Sequence, residues 1–219
     1  MNTEFFGRPL AMVLVLALIG MLPFAFMALT SFVKIATVLQ IVRGAIGAQG
    51  VPSSTVVLAL SAALTLIAMA PVGSKVAERL EPLLARSIHD PTELISGAVE
   101  AVREPLRSFF AKNASAKERE RFLSLAQRQR PADAQVTDTD LMVVVPAFLV
   151  TELLEAFALG FAIYLPFLVI DLVVANVLLG LGMQMLSPNQ ISLPFKLLLF
   201  VAADGWGMLA EALVTGYAS

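Results

Sequence analysis

Glu152 and Glu155 stand three residues apart, so a helix would carry both carboxylates on one face. Asp171 and Asp204 place two more acids in apolar surroundings, VIDLVV and AADGWG. Paired acids suit general acid–base catalysis, an intramembrane aspartyl protease, or a proton or ion relay. The protease reading is weak, because such enzymes set their acids in Gly-x-Gly-Asp and Tyr-Asp contexts that these segments lack. The sequence has no phosphate-binding glycine loop, no zinc-binding histidine pair and no G-x-S-x-G elbow. It also has no cysteine, which removes disulfides, thiolate metal sites and cysteine nucleophiles together. The one histidine, His89, stands beside a helix start, where a satisfied surface or core role outweighs catalysis. These residues point to no enzyme, no metal site and no cofactor.

A structural role for the same charges is stronger. Lys196 is the last basic residue and the only one after Arg130, while five acids follow Asp140. Charges in apolar surroundings persist when they are paired. Lys196 is therefore expected to meet Glu152 or Asp171 across a helix or subunit contact. Between Asp171 and Lys196 lies GMQMLSPNQISLPFK, residues 182–196. Met183 and Met185 are flexible and polarizable, able to fit irregular shapes. Gly180 and Gly182 loosen the chain before them, and Ser187, Pro188 and Asn189 disfavour a continuous helix after them. Non-helical backbone at membrane depth survives only when buried in protein or lining a cavity. A loop of this kind, repeated around an axis, would form a deformable apolar constriction.

The elements that must position these residues are membrane-like. Of 219 residues, 58% are hydrophobic and 15% charged, with a mean hydropathy of +0.83. A soluble domain carries about 25% charged residues. The net charge of −2 gives no footprint for nucleic acid. Residues 74–140 hold 22 of the 32 charges, so three parts are expected. They are apolar helices over 1–73, a polar helical insert over 74–140, read as periplasmic, and helical hairpins over 141–219. The fold class is all-α.

Local signals refine this. Between Arg8 and Lys34 lie 25 uncharged residues, long enough to cross a bilayer, with Pro23 expected to kink or break the helix. That segment is read as retained rather than cleaved as a signal peptide. Lys34 and Arg43, without a nearby acid, make residues 30–50 lean cytoplasmic. Gly44–Ser74 is a further uncharged run of 31 residues, with a turn and helix start at Val51-Pro52-Ser53-Ser54. Asp90, Pro91 and Glu93 form a helix start, followed by an apolar stripe from Leu94 to Phe109. Ser115 and Glu118 form a capping box, and 130–139 reads as a loop. The acids after Asp140 make the C-terminal segments poor independent spans, better suited to packing against protein.

Residues 146–206 contain PAF, TEL and AF, then IYLPFLVIDLVVA, LGMQM, ISLPFKLLLFV and DGW. This run closely resembles the export-apparatus protein of type III secretion systems, called FliP in flagella and the R component in injectisomes. TSFVKIATVLQIVRGAIGAQGVP at 30–52 resembles the same family, and REPLRSF at 103–109 does so more weakly. The resemblance implies a non-enzymatic pore subunit of the bacterial inner membrane. Five copies would form a ring, joined by the S and T components into a helical complex reaching towards the periplasm. Export-gate and inner-membrane ring proteins would surround it, and unfolded secreted proteins would pass through.

The family's methionine gate loop maps onto Met183, Gln184 and Met185, turned by Gly182, Ser187 and Pro188. Flagellar members tend to three consecutive methionines and a double proline; here Gln184 interrupts and Leu186-Ser187-Pro188 follows. The family's buried charge contacts between subunits map onto Glu152, Asp171 and Lys196. Flagellar members also carry a cleavable signal peptide, which makes the injectisome branch the expected one. The alternative function is a stand-alone polytopic transporter, with Glu152, Asp171 and Asp204 as a proton or ion site.

Overall fold

The computed structural model describes residues 3–48, 50–85, 91–129 and 136–217. Among the described residues the chain is all-α. The helices are α1 (Thr3–Ala28), α2 (Phe32–Ile46), α3 (Ser54–Ala68), α4 (Ala70–Ala85), α5 (Pro91–Asn113), α6 (Ala116–Arg128), α7 (Leu141–Gly180), α8 (Pro188–Ala202) and α9 (Gly205–Thr215). His89, Asp90 and residues 130–135 of the expected loop lie outside the described residues, as do the side chains of Glu93, Leu94 and Ile95.

The centre of the molecule is α2, packed along α7. Ile35, Val38, Leu39, Val42 and Ile46 recur at helical spacing and are all buried. Against them lie Val144, Ala147, Phe148 and Ala156 of α7. Gly160 sets the closeness of the crossing, since a Cβ there would fall 2.5 Å from Ile41 Cδ1. The segment expected as a basic connection is thus the most buried helix. One of its two basic residues is held locally: Arg43 Nε donates to the Pro52 carbonyl at 2.7 Å, closing the α2–α3 turn. Positive φ at Gly47 and Gly50 makes that turn tight, and Ser53 caps α3 by accepting from the Val56 N–H.

Pro23 does not end α1, which continues as helix to Ala28. The break comes at residues 29–31, where Thr30 Oγ1 donates to the Phe26 carbonyl at 2.6 Å and accepts from the Phe32 N–H.

Its 40 residues make α7 about 60 Å long at 1.5 Å per residue. Among the described residues it alone is long and apolar enough to cross a membrane as one helix. Three pairs reach that length together but are bent: Ile19–Ala28 with α2 by 67°, α3 with α4 by 56°, and α8 with α9 by 56°. The C-terminal segments are expected to be poor independent spans packed against protein; α7 packs on α2, α5, α6 and α8, yet is long and apolar enough to cross a membrane. Helical spacing turns Glu152 inwards to α2 and Asp171 to α8, while Glu155 stays half exposed in its ion pair with Lys34. Leu154, Phe157, Phe161, Val169 and Val173 of α7 are exposed.

The polar segment starts inside a helix, since α4 runs across residues 73 and 74. Helices α4 and α5 pair as a hairpin, and α6 lies on α7. Ser115 Oγ accepts from the Glu118 N–H at 3.3 Å, as a capping box requires. The reciprocal bond goes elsewhere, because the Ser115 N–H donates to Thr151 Oγ1 on α7 at 3.0 Å. Phe109 and Phe110 of α5 meet Phe148 of α7 at ring separations of 5.4 and 5.0 Å. The polar segment is thereby fastened to the apolar body by hydrogen bonds between Ser115 and Thr151 and by an aromatic cluster.

Candidate functional site

Two polar clusters and one exposed loop stand out in this apolar molecule. The first cluster joins α2, α7 and α8. Lys196, only 3% exposed, donates from Nζ to Asp171 Oδ2 at 2.6 Å and to the Ala45 carbonyl at 3.2 Å. Ala45 belongs to the last turn of α2, where carbonyls lack helical partners and the helix dipole is negative. Ser192, one helical turn before Lys196, donates to the other Asp171 oxygen at 2.5 Å. One ammonium thus satisfies a carboxylate and a helix end at once. This contact is made within a single copy of the chain.

The second cluster joins α2, α7 and the C-terminal end. Glu152, 1% exposed, accepts a hydrogen bond from the Tyr217 hydroxyl. Lys34 Nζ lies 3.9 Å from Glu152, makes an ion pair with Glu155, and sits 5.0 Å from the Tyr217 ring centroid. Tyr217 also stacks on Phe109 with ring centroids 5.9 Å apart. Burial and the neighbouring Glu152 carboxylate raise the Tyr217 phenol above its usual range, so it keeps its proton as a donor. Lys196 does not reach Glu152 in this arrangement; Lys34 occupies that position instead.

The loop between α7 and α8 has well-determined ends. The Gly182 N–H bonds to the Leu179 carbonyl and the Met183 N–H to the Leu178 carbonyl, with Gly182 at φ +69°. This is a Schellman stop, and only glycine takes the left-handed position without penalty. Pro188 opens α8 after the N-cap Ser187. Between these ends Gln184 and Leu186 are exposed, Met183 is half exposed, and Met185 is 99% exposed.

Asp204 stands apart from both clusters, at the α8–α9 bend. It adopts a left-handed conformation, φ 47°. A Cβ at Gly207 would fall 2.4 Å from its carboxylate, and one at Gly205 would fall 2.3 Å from the Phe200 ring. The DGWG run is therefore a steric requirement of the bend. Among the described residues no group of three or more His, Asp or Glu side chains could hold a metal ion.

Lys34, Ser192 and Tyr217 were not legible as site residues in the sequence. Lys34 carried one signal, a charge in apolar sequence with no acid nearby, and its partners are 118 and 121 positions away. Ser192 lies four residues before Lys196, a spacing that puts both on one helix face.

The FliP family model matches residues 15–213 of the chain. The Hypersensitivity response secretion protein HrcR of Ralstonia nicotianae is 40% identical, covering 99% of both chains. The Virulence protein YscR of Salmonella typhimurium is 40% identical over 95% of this chain and 97% of its own. The Flagellar biosynthetic protein FliP of Caulobacter vibrioides is 39% identical over 96% of this chain and 77% of its own. The chain belongs to the FliP family.

Proposed function

We propose that this FliP-family chain is a structural, pore-forming subunit of a type III secretion export apparatus in the bacterial inner membrane. The observation that carries this reading is the loop of residues 182–187. Met185 does not stand alone: Leu181, Met183 and Leu186 are exposed beside it, and a contiguous apolar patch of this kind marks a surface that another copy or a passing chain covers. Five copies around an axis would set Met183 and Met185 as stacked apolar rings at the narrowest point. Thioether side chains change rotamer at little cost, so they would part around an unfolded polypeptide with little regard to its sequence. The exposed apolar faces of α7 and of the bent helix pairs would be covered by neighbouring copies and by the S and T components. The complex would reach towards the periplasm, among export-gate and inner-membrane ring proteins.

The two ion clusters support a structural role over catalysis or ion relay. Asp171 and Glu152 are already engaged by Lys196 and Ser192, and by Tyr217 and Lys34. Such engagement suits a rigid scaffold.

The chain has no cysteine, so a single introduced thiol is unique. With Met185→Cys in the assembled apparatus, a short bismaleimide is expected to join copies and stop export while leaving the complex intact. Removing residues 183–185 should make the membrane leak small solutes. A variant that neither crosslinks nor leaks, in a complex of normal size by native mass spectrometry, would overturn the gate assignment.

A further inference from the structure

A small cavity of about 90 Å³ lies outside the features used so far, where α3 ends and α4 and α5 meet. Its wall includes Lys75 of α4, Lys112, Ser108 and Asn113 of α5, and Tyr217. No carboxylate lines it. Lys75, Lys112 and Ser108 make no hydrogen bond or ion pair among the described residues, while the Asn113 amide is spent on the Phe109 carbonyl at 2.8 Å. Lys75 and Lys112 come from different helices and line one hollow with no carboxylate beside them, so its potential favours an anion. Elsewhere in the polar segment, exposed Arg103 pairs with Glu100 and Arg107 with Glu104. This hollow is left cationic.

Its depth indicates the ligand. Lys75 is the first charge after the uncharged run of residues 44–74. Ala68, the last residue of α3, and Pro71 and Val72 at the start of α4 form the apolar side of the wall. The hollow thus sits where apolar helix gives way to polar helix, the level at which lysine heads leave hydrocarbon and meet lipid headgroups. We propose that the Lys75–Lys112 hollow is a binding site for a phosphate group, supplied by an anionic phospholipid headgroup. Ser108 Oγ would add a neutral donor to the two charge-assisted ones. The lipid would tie the α4–α5 hairpin to the membrane surface, next to the Tyr217 anchor. The proposal does not depend on the gate reading, since it concerns a different part of the molecule.

The test is lipid titration of the purified full chain in mild detergent, read by native mass spectrometry. Phosphatidylglycerol is expected to bind, and diacylglycerol with the same tails is not. Each of Lys75→Gln and Lys112→Gln should weaken phosphatidylglycerol binding roughly fivefold, and together roughly 25-fold. The matched pair Lys117→Gln and Arg128→Gln on α6 removes the same charge elsewhere and should change binding less than twofold. Melting temperatures of all variants should stay close to the parent, because these side chains are exposed. Equal binding of diacylglycerol, or equal weakening by the α6 pair, would overturn the proposal. Displacement of the lipid by millimolar inorganic phosphate would support the phosphate site and overturn the headgroup as its source.

Discussion

Lys196→Met tests the central ion cluster most directly. Lys196 and Asp171 have side chains 4% and 22% exposed, and their 2.6 Å contact ties α8 to α7. Breaking a buried pair by removing one partner costs about 3–5 kcal/mol, because the other charge is left uncompensated. Asp171 is partly exposed and keeps the Ser192 hydroxyl, so the lower end applies, about 3 kcal/mol. Losing the bond to the Ala45 carbonyl, a buried last-turn group with no helical partner to replace it, keeps the cost from falling below that figure. For a chain of this length, each kcal/mol moves the melting temperature by roughly 2–4 °C. The expected fall is therefore roughly 6–12 °C.

Trp206, the only tryptophan, reports the transition from within the same helix pair. Its ring meets Phe200 edge-on at 5.1 Å, one turn from Lys196. Its fluorescence should be followed through thermal unfolding in mild detergent, in the single variant, in Asp171→Leu and in the double variant. An apolar pair in place of a buried ion pair is often neutral, so the double variant should recover most of the loss. The surface control Lys117→Met should stay within about 0.5 kcal/mol. A fall of less than roughly 2 °C, or a double variant that merely adds the two losses, would refute the pairing argument.

Tyr217→Phe deprives buried Glu152 of its hydroxyl donor and should cost about 2 kcal/mol, seen as a melting shift, while Tyr217→Trp should not restore it. Gly160→Ala forces its Cβ into Ile41 and is expected to cost about 1–3 kcal/mol, part of which Ile41→Ala should recover in the double variant. Gly205→Ala should straighten or unfold the α8–α9 bend through the Phe200 ring, a change visible in Trp206 fluorescence, and Phe200→Leu should relieve it. Arg103→Ala should change stability by less than about 1 kcal/mol, because both partners of its pair with Glu100 are more than half exposed.

Local features were the readable ones. The Ser115 cap and the Ser53 helix start depend on neighbours within a few residues, so spacing reveals them. Lys34 pairing with Glu155 depends on the chain folding back over a separation of 121 positions, and no local pattern carries that information. The continuity of α7 was hidden for a related reason. Charge content along the chain suggested interruption, whereas a helix separates residues by angle and sends Glu152 and Asp171 to protein-facing sides. Pro23 also does not break its helix, since α1 runs on to Ala28. The turn residues around the methionines were legible because Gly182 and Pro188 each dictate backbone geometry alone.

That geometry bears on how a loop can be both a seal and a passage. The Schellman bonds fix the end of α7, and Pro188 with Ser187 fixes the start of α8. Ser192 and Lys196 then clamp α8 to Asp171 within two turns of the loop. Between those anchors the described backbone hydrogen bonds inside 183–186 reduce to one, Leu186 N–H to the Met183 carbonyl at 3.4 Å. The stretch without helical hydrogen bonding is therefore four residues long, with helices on both sides. A seal that opens by rearranging only these residues need not disturb the subunit contacts that hold a ring together. Lengthening the loop by two glycines after Gln184 would leave both anchors intact and should permit leakage without dissociation. Weakening the anchor with Lys196→Met should instead reduce assembly. If the insertion disassembled the complex and Lys196→Met only leaked, the division of labour between loop and clamp would be wrong.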